Sequence, residues 1–159
     1  MKLIDLLKGV DYHGDISTEI EIDKITYNSR EIDKGACFIA IKGHTVNGND
    51  FVEAAINKGA SLIITDQKNK NFKVPSIKVG DSREALSIIS SNLYNNPSKN
   101  INAIGVTGTN GKTTIACLVK TLLKEGFNKE CATIGTLGFS VENNIIKTGL
   151  TTPESLDLQ

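Results

Sequence analysis

The chain has 159 residues, 39% of them hydrophobic, and 18 lysines and arginines balance 18 aspartates and glutamates. That length holds one full domain and part of another, and the balanced, scattered charge excludes a bulk field for nucleic acid or an anionic membrane. No apolar run is long enough to span a membrane, no secretory apolar core follows Met1, and Cys37, Cys117 and Cys131 lack C-x-x-C spacing, so a soluble, cytoplasmic protein with plain free thiols is expected.

Leu3, Ile4, Leu6 and Leu7 suggest a short first helix. Residues 19–22 alternate Glu-Ile-Glu-Ile and lead through Ile25 to Tyr27, Asn28, Ser29 and Arg30, the pattern of a half-exposed strand. Residues 36–41 are continuously apolar and read as a buried strand, after which Gly43 and Gly48 mark a loop. Phe51, Val52, Ala55 and Ile56 share a helical face that Gly59 closes, and residues 60–65 form the next strand. Helix followed by strand is α/β alternation. A polar, lysine-rich loop over 66–73 and a strand over 74–79 come next. Asp81 or Ser82 then caps a helix whose Leu86, Ile89 and Leu93 share a face, and Asn95, Asn96, Pro97 and Ser98 stop it. A domain boundary is expected there, dividing residues 1–97 from 98–159.

Residues 101–106 are a short β-branched run, and Ile115, Leu118, Val119, Leu122 and Leu123 recur at helical spacing until Gly126. Between strand and helix stand Gly108, Thr109, Asn110, Gly111, Lys112, Thr113 and Thr114. Two glycines free the backbone so that successive amides can converge on phosphate oxygens at the positive end of the new helix. Lys112 supplies a mobile charge for terminal phosphates, and Thr113 supplies the hydroxyl that such loops place on Mg²⁺. The strict Walker A pattern needs a glycine where Val106 stands, so the generic motif fails by one residue. A plain strand-turn-helix would explain the glycines alone. It would not explain Lys112, which opposes the helix dipole by roughly 0.3–1 kcal/mol unless an anion sits beside it.

Residues 132–135 read as a second parallel strand, and residues 142–144 as a turn between 139–141 and 145–146. Thr152 as N-cap, Pro153 at the first helical position and Glu154 in the first turn make a helix start. The second part is too small to bury a core of its own, so a truncated domain is expected.

The run Val106-Thr-Gly-Thr-Asn-Gly-Lys-Thr-Thr114 closely resembles the phosphate loop of the Mur ligases, the ATP-dependent amide-forming enzymes of peptidoglycan synthesis. No G-x-G-x-x-G occurs in the first hundred residues. Instead Asn28-Ser29-Arg30, residues 38–40, Gly43-His44, Asn47-Gly48 with Phe51, and Ala54-Ala55-Ile56 with Gly59-Ala60 resemble the uridine-binding domain of the member that adds the third amino acid. Thr151-Thr152-Pro153-Glu154 resembles its substrate loop. The resemblance implies an α/β fold, with a small uridine-binding N-terminal domain followed by the start of a P-loop, parallel-sheet ATPase domain.

By position, the resemblance implies that Tyr27, Ser29, His44, Thr45 and Val46 contact the uridine diphosphate part of the substrate, Tyr27 through its backbone. Gly108 to Thr114 would hold ATP and Mg²⁺, with Lys112 catalytic and Thr113 the metal ligand, and Thr151 and Thr152 would meet the muramoyl-peptide end. Plainer roles stand beside these: Ser29 closing a turn, His44 in a loop, Thr152 capping its helix. Asn28 and Asn47 stand where the family usually has aspartate, and Lys34 replaces a common proline. The implied reaction joins meso-diaminopimelate or L-lysine to UDP-N-acetylmuramoyl-L-alanyl-D-glutamate through an acyl phosphate, in a cytoplasmic monomer, with the fragment alone inactive. A MurF-like or folylpolyglutamate synthetase-like ligase and a non-catalytic nucleotide-binding module are the alternatives. An ordinary GTPase would need an N/T-K-x-D guanine motif, which is absent.

Overall fold

The computed structural model describes all residues except 15, 18, 44–45, 68–70, 143 and 147–151. His44, Thr45 and Thr151, and parts of the expected 66–73 loop and 142–144 turn, therefore lie outside the described residues. The chain divides into two compact units, Met1–Asn100 and Ile101–Leu158.

In the first unit the described elements run α1 (Leu3–Leu6), β1 (Tyr12–His13), β2 (Ile25–Thr26), β3 (Cys37–Ala40), α2 (Val52–Asn57), β4 (Leu62–Thr65), β5 (Ser76–Val79) and α3 (Ser82–Leu93). The strands form one sheet in the order β1-β5-β4-β3-β2. β2 through β5 are parallel, with Cys37 opposite both Ile25 and Leu62, and β1 closes one edge antiparallel to β5. A parallel sheet is covered on both faces, which is why β3 and β4 are apolar at nearly every position. Phe38, Ala40 and Ile63 pack with Val52 and Ala55 of α2 in one cluster. Alternation turns Ile39, Ile64 and Ile77 the other way, and buried Leu86 and Ile89 of α3 with Leu3 and Leu6 of α1 complete the core.

Asp81 caps α3 by accepting hydrogen bonds from the Arg83 and Glu84 amides at 2.7 and 3.1 Å. At the other end the backbone turns left-handed at Asn95 and Asn96, and Asn92 donates to the Leu6 and Lys8 carbonyls, fastening α3 to the end of α1.

The expected strand at 19–22 is not a ladder strand. Its alternation is real, with Ile22 buried and Glu19 and Glu21 exposed, but its partner is only the first few residues, joined by a single Lys2–Glu21 bridge. The parallel edge strand is β2 instead, and the sequence pattern gave no sign of β1.

The second unit contains α4 (Lys112–Phe127), β6 (Thr133–Gly135), β7 (Gly138–Val141), β8 (Asn144–Ile146) and α5 (Ser155–Leu158). β6, β7 and β8 form an antiparallel meander, so 132–135 is not the parallel strand expected. Residues 101–106 form no strand, because no described segment of this unit pairs with them. Gly126 does not end α4. The stop is Asn128, left-handed at φ 50°, with its amide reaching the Lys124 carbonyl at 3.1 Å as in an αL cap, and the Lys129 amide reaching the Leu123 carbonyl at 2.9 Å. Thr152 does not cap α5, which begins three residues later. The Asp157 and Leu158 amides return to the Glu154 carbonyl.

Among the described residues, every buried hydrophobic side chain lies in the first unit. α4 instead shows its apolar stripe to solvent, with Ile115, Leu118 and Leu122 at 48, 54 and 64% exposure.

Candidate phosphate loop and uridine-binding edge

The glycine positions of the loop before α4 are dictated by its backbone. Gly111 is the residue preceding the helix and sits at φ 76°, and Gly108 sits at φ 153°, both in the region that glycine enters without steric cost. No side chain caps α4 and its first turn carries no acidic residue. The N–H groups there are therefore directed outward at the positive end of a sixteen-residue helix.

Lys112 lies back over the loop, its Nζ donating to the Gly108 carbonyl at 2.5 Å and to the Thr109 carbonyl at 3.3 Å. Thr109, Asn110, Thr113 and Thr114 are exposed around it. The loop thus brings together all seven residues of the expected phosphate site, with a cation, free-standing hydroxyls and helix-terminal amides on one short stretch. Such a constellation suits a polyphosphate anion. Among the described residues no group of three or more His, Cys, Asp or Glu could hold a metal ion; the oxygen donors of this loop are the hydroxyls of Thr109, Thr113 and Thr114 and the Asn110 carboxamide. Thr152 is exposed in a bend before α5.

In the first unit the expected uridine contacts follow the carboxyl ends of β2 and β3, which are neighbours in the sheet. Open α/β sheets bind ligands at that edge. After β2, Asn28 Oδ1 accepts from the Arg30 amide at 3.1 Å, as the family's aspartate could. Its Nδ2 also donates to Glu31 at 2.7 Å, which a carboxylate could not do. Half-buried Ser29 lies in this turn, and its carbonyl accepts from Lys58 Nζ at 2.8 Å. Tyr27 precedes it, also half-buried.

After β3 the chain makes a narrow hairpin. The Gly43 amide donates to the Val46 carbonyl at 2.8 Å, Lys42 bridges Asn47, and the Gly48 amide donates to the Ile41 carbonyl at 2.8 Å. Both glycines are there for lack of room: a Cβ on Gly43 would stand 2.8 Å from the Val46 carbonyl oxygen, and one on Gly48 would stand 2.5 Å from that of Ile41. Val46 is exposed.

Sequence reasoning missed three further residues. Asn49, Thr65 and Asp66 are joined by hydrogen bonds, although 66–73 reads as a solvated loop. The available signal was Thr65, a polar residue closing an apolar strand.

Two family models match the chain: "Mur ligase family, catalytic domain" over residues 21–94 and "Mur ligase middle domain" over residues 106–159. Among curated relatives, UDP-N-acetylmuramoyl-L-alanyl-D-glutamate--2,6-diaminopimelate ligase of Caldanaerobacter subterraneus subsp. tengcongensis is 41% identical over 160 residues, covering all of this chain and 33% of the relative. The enzymes of the same name from Clostridium tetani and Clostridioides difficile are 42% and 40% identical, covering 99% and 100% of this chain and 33% of each relative. The chain thus spans about a third of the length of the curated relatives it matches. A solved structure of a UDP-N-acetylmuramoyl-L-alanyl-D-glutamate--2,6-diaminopimelate ligase shares the fold with a TM-score of 0.74 at 24% identity, over 99% of this chain and 32% of that one. MurF from Acinetobacter baumannii gives 0.58 at 24% identity over 77% of this chain and 27% of its own. With both models in tandem across most of its length, and the parallel sheet in place, the chain belongs to the Mur ligase family.

Proposed function

We propose that the chain carries the UDP-substrate-binding unit and part of the ATP-binding unit of a UDP-N-acetylmuramoyl-L-alanyl-D-glutamate ligase, a cytoplasmic, monomeric enzyme that adds 2,6-diaminopimelate. The single observation that carries this reading is the uncapped start of α4, with left-handed Gly111 and with Lys112 folded over the Gly108 carbonyl. The names of the relatives supply the choice of substrate and amino acid.

ATP with Mg²⁺ would supply a γ-phosphoryl group that turns the D-glutamate side-chain carboxylate into an acyl phosphate, from which the incoming amine displaces phosphate. The chain's own part is positioning and charge stabilisation. The amides of residues 108–114 orient the phosphates. Lys112 exchanges two carbonyl partners for phosphate oxygens and offsets charge developing between the β- and γ-positions. Thr113 holds the metal through its hydroxyl. Tyr27, Ser29, His44, Thr45 and Val46 anchor the uridine diphosphate end, and Thr151 and Thr152 guide the peptide end.

The test is a panel of acceptors offered with ATP to the full-length protein. Ligation of diaminopimelate to UDP-N-acetylmuramoyl-L-alanyl-D-glutamate, with no glutamylation of folate, is expected. Turnover of folate alone would overturn the assignment.

A further inference from the structure

Two buried polar residues, Asn49 and Thr65, join half-buried Asn47 and Asp66 where the chain returns from β3 to the end of β4, and the proposed chemistry makes no use of them. Asn49 is 6% exposed and Thr65 3%. Thr65 Oγ1 donates to Asn49 Oδ1 at 2.5 Å, while Asn49 Nδ2 donates to Asp66 Oδ1 at 2.9 Å and to Asn47 Oδ1 at 3.1 Å. Thr65 Oγ1 accepts from the Gln67 amide at 3.0 Å, and Asn47 Oδ1 accepts from the Asn49 amide at 3.1 Å. The carboxamide of Asn49 therefore uses its oxygen and both its N–H groups.

The residue types follow from this geometry. Aspartate at 49 would set a second carboxylate against Asp66, and an apolar side chain would leave the Asp66 carboxylate and the Thr65 hydroxyl short of a partner. Hydrogen bonds between buried groups, such as that joining Thr65 and Asn49, hold one arrangement more firmly than apolar contact does.

Its place in the fold supplies the consequence. Thr65 and Asp66 stand at the carboxyl end of β4, whereas Asn47 and Asn49 stand where the hairpin returns from β3. Backbone bonds join Gly43 to Val46 and Gly48 to Ile41, and among the described residues the Asn49 side chain ties this return to the end of β4 through Thr65 and Asp66.

We propose that Asn49 is a positioning residue for UDP-substrate binding, which through Thr65 and Asp66 holds the hairpin bearing Val46 in its binding geometry. This rests on the assignment of that hairpin to the uridine diphosphate end of the substrate. The test uses the full-length protein, with UDP-N-acetylmuramoyl-L-alanyl-D-glutamate and ATP titrated by calorimetry and in steady-state kinetics, and unfolding midpoints recorded in parallel. Asn49→Asp and Thr65→Val should weaken the UDP substrate about tenfold, with kcat and the KM for ATP unchanged. Thr65→Ser, which keeps the hydroxyl, should stay within about twofold of the parent. Lowered midpoints with unchanged UDP-substrate affinity would overturn the proposal, as would Thr65→Ser falling as far as Thr65→Val. If Asn49→Asp does not fold, the Thr65 pair decides. A parent protein that fails to bind the UDP substrate would instead overturn the underlying assignment of the hairpin.

Discussion

Gly48 shows how one position in this chain is settled by space rather than by conformation. A methyl group there would meet the Ile41 carbonyl oxygen and amide nitrogen at 2.5 and 2.8 Å, and backbone atoms cannot swing aside. Gly48→Ala should therefore lower stability by about 1–3 kcal/mol in denaturant titration. Cys37 is the other residue with a measurable signature. Burial pushes its thiol up from the ordinary 9.0 to about 12. Between those values the unfolded chain has released the proton and the folded one has not, so stability is lost as pH rises above about 9, by up to about 1.4 kcal/mol per pH unit. Below pH 9 this thiol adds no pH dependence. Comparing unfolding free energies of the parent and Cys37→Ala at pH 8 and pH 10.5 checks the sign: the alkaline loss should be smaller in the variant.

Elements were legible where their sequence pattern is complete in itself. β3 and β4 are continuous apolar runs, and α3 carries an apolar face behind an aspartate cap. They appear as read because local preference and tertiary burial agree. Residues 19–22 and 101–106 have strand-like composition, but a strand also needs a partner of sufficient length, and composition does not encode that. The loop before α4 can be proposed as a phosphate site from sequence because its glycines, lysine and threonines stand on one stretch of chain. The Asn49 cluster was not, since it joins residues 16 and 17 positions apart and exists only once β3 and β4 are paired. Two substitutions test the element assignments. Asp81→Ala should cost about 0.5–2 kcal/mol through loss of the α3 cap. Gly126→Ala should stabilise α4 by about 0.5–1 kcal/mol, because the glycine is helical and a Cβ there would meet nothing within 4 Å. Destabilisation at Gly126 would restore it as the helix stop.

At the scale of the whole molecule, the core is unevenly distributed between the two units. The first unit buries every large core residue described, whereas α4 leaves its apolar stripe exposed. Opening free energies follow burial and contact density. Hydrogen exchange on this chain should accordingly protect the β3 and β4 amides most strongly and release those of α4 much sooner; equal protection would contradict the division. The measurement that tests the account most directly is ligation by the full-length protein carrying Lys112→Ala, with binding of the UDP substrate followed alongside. The account predicts that ligation is abolished while UDP-substrate affinity stays within about threefold, a change below the tenfold that 1.4 kcal/mol produces. Unchanged turnover in that variant would contradict the assignment of the loop before α4 to nucleotide phosphate.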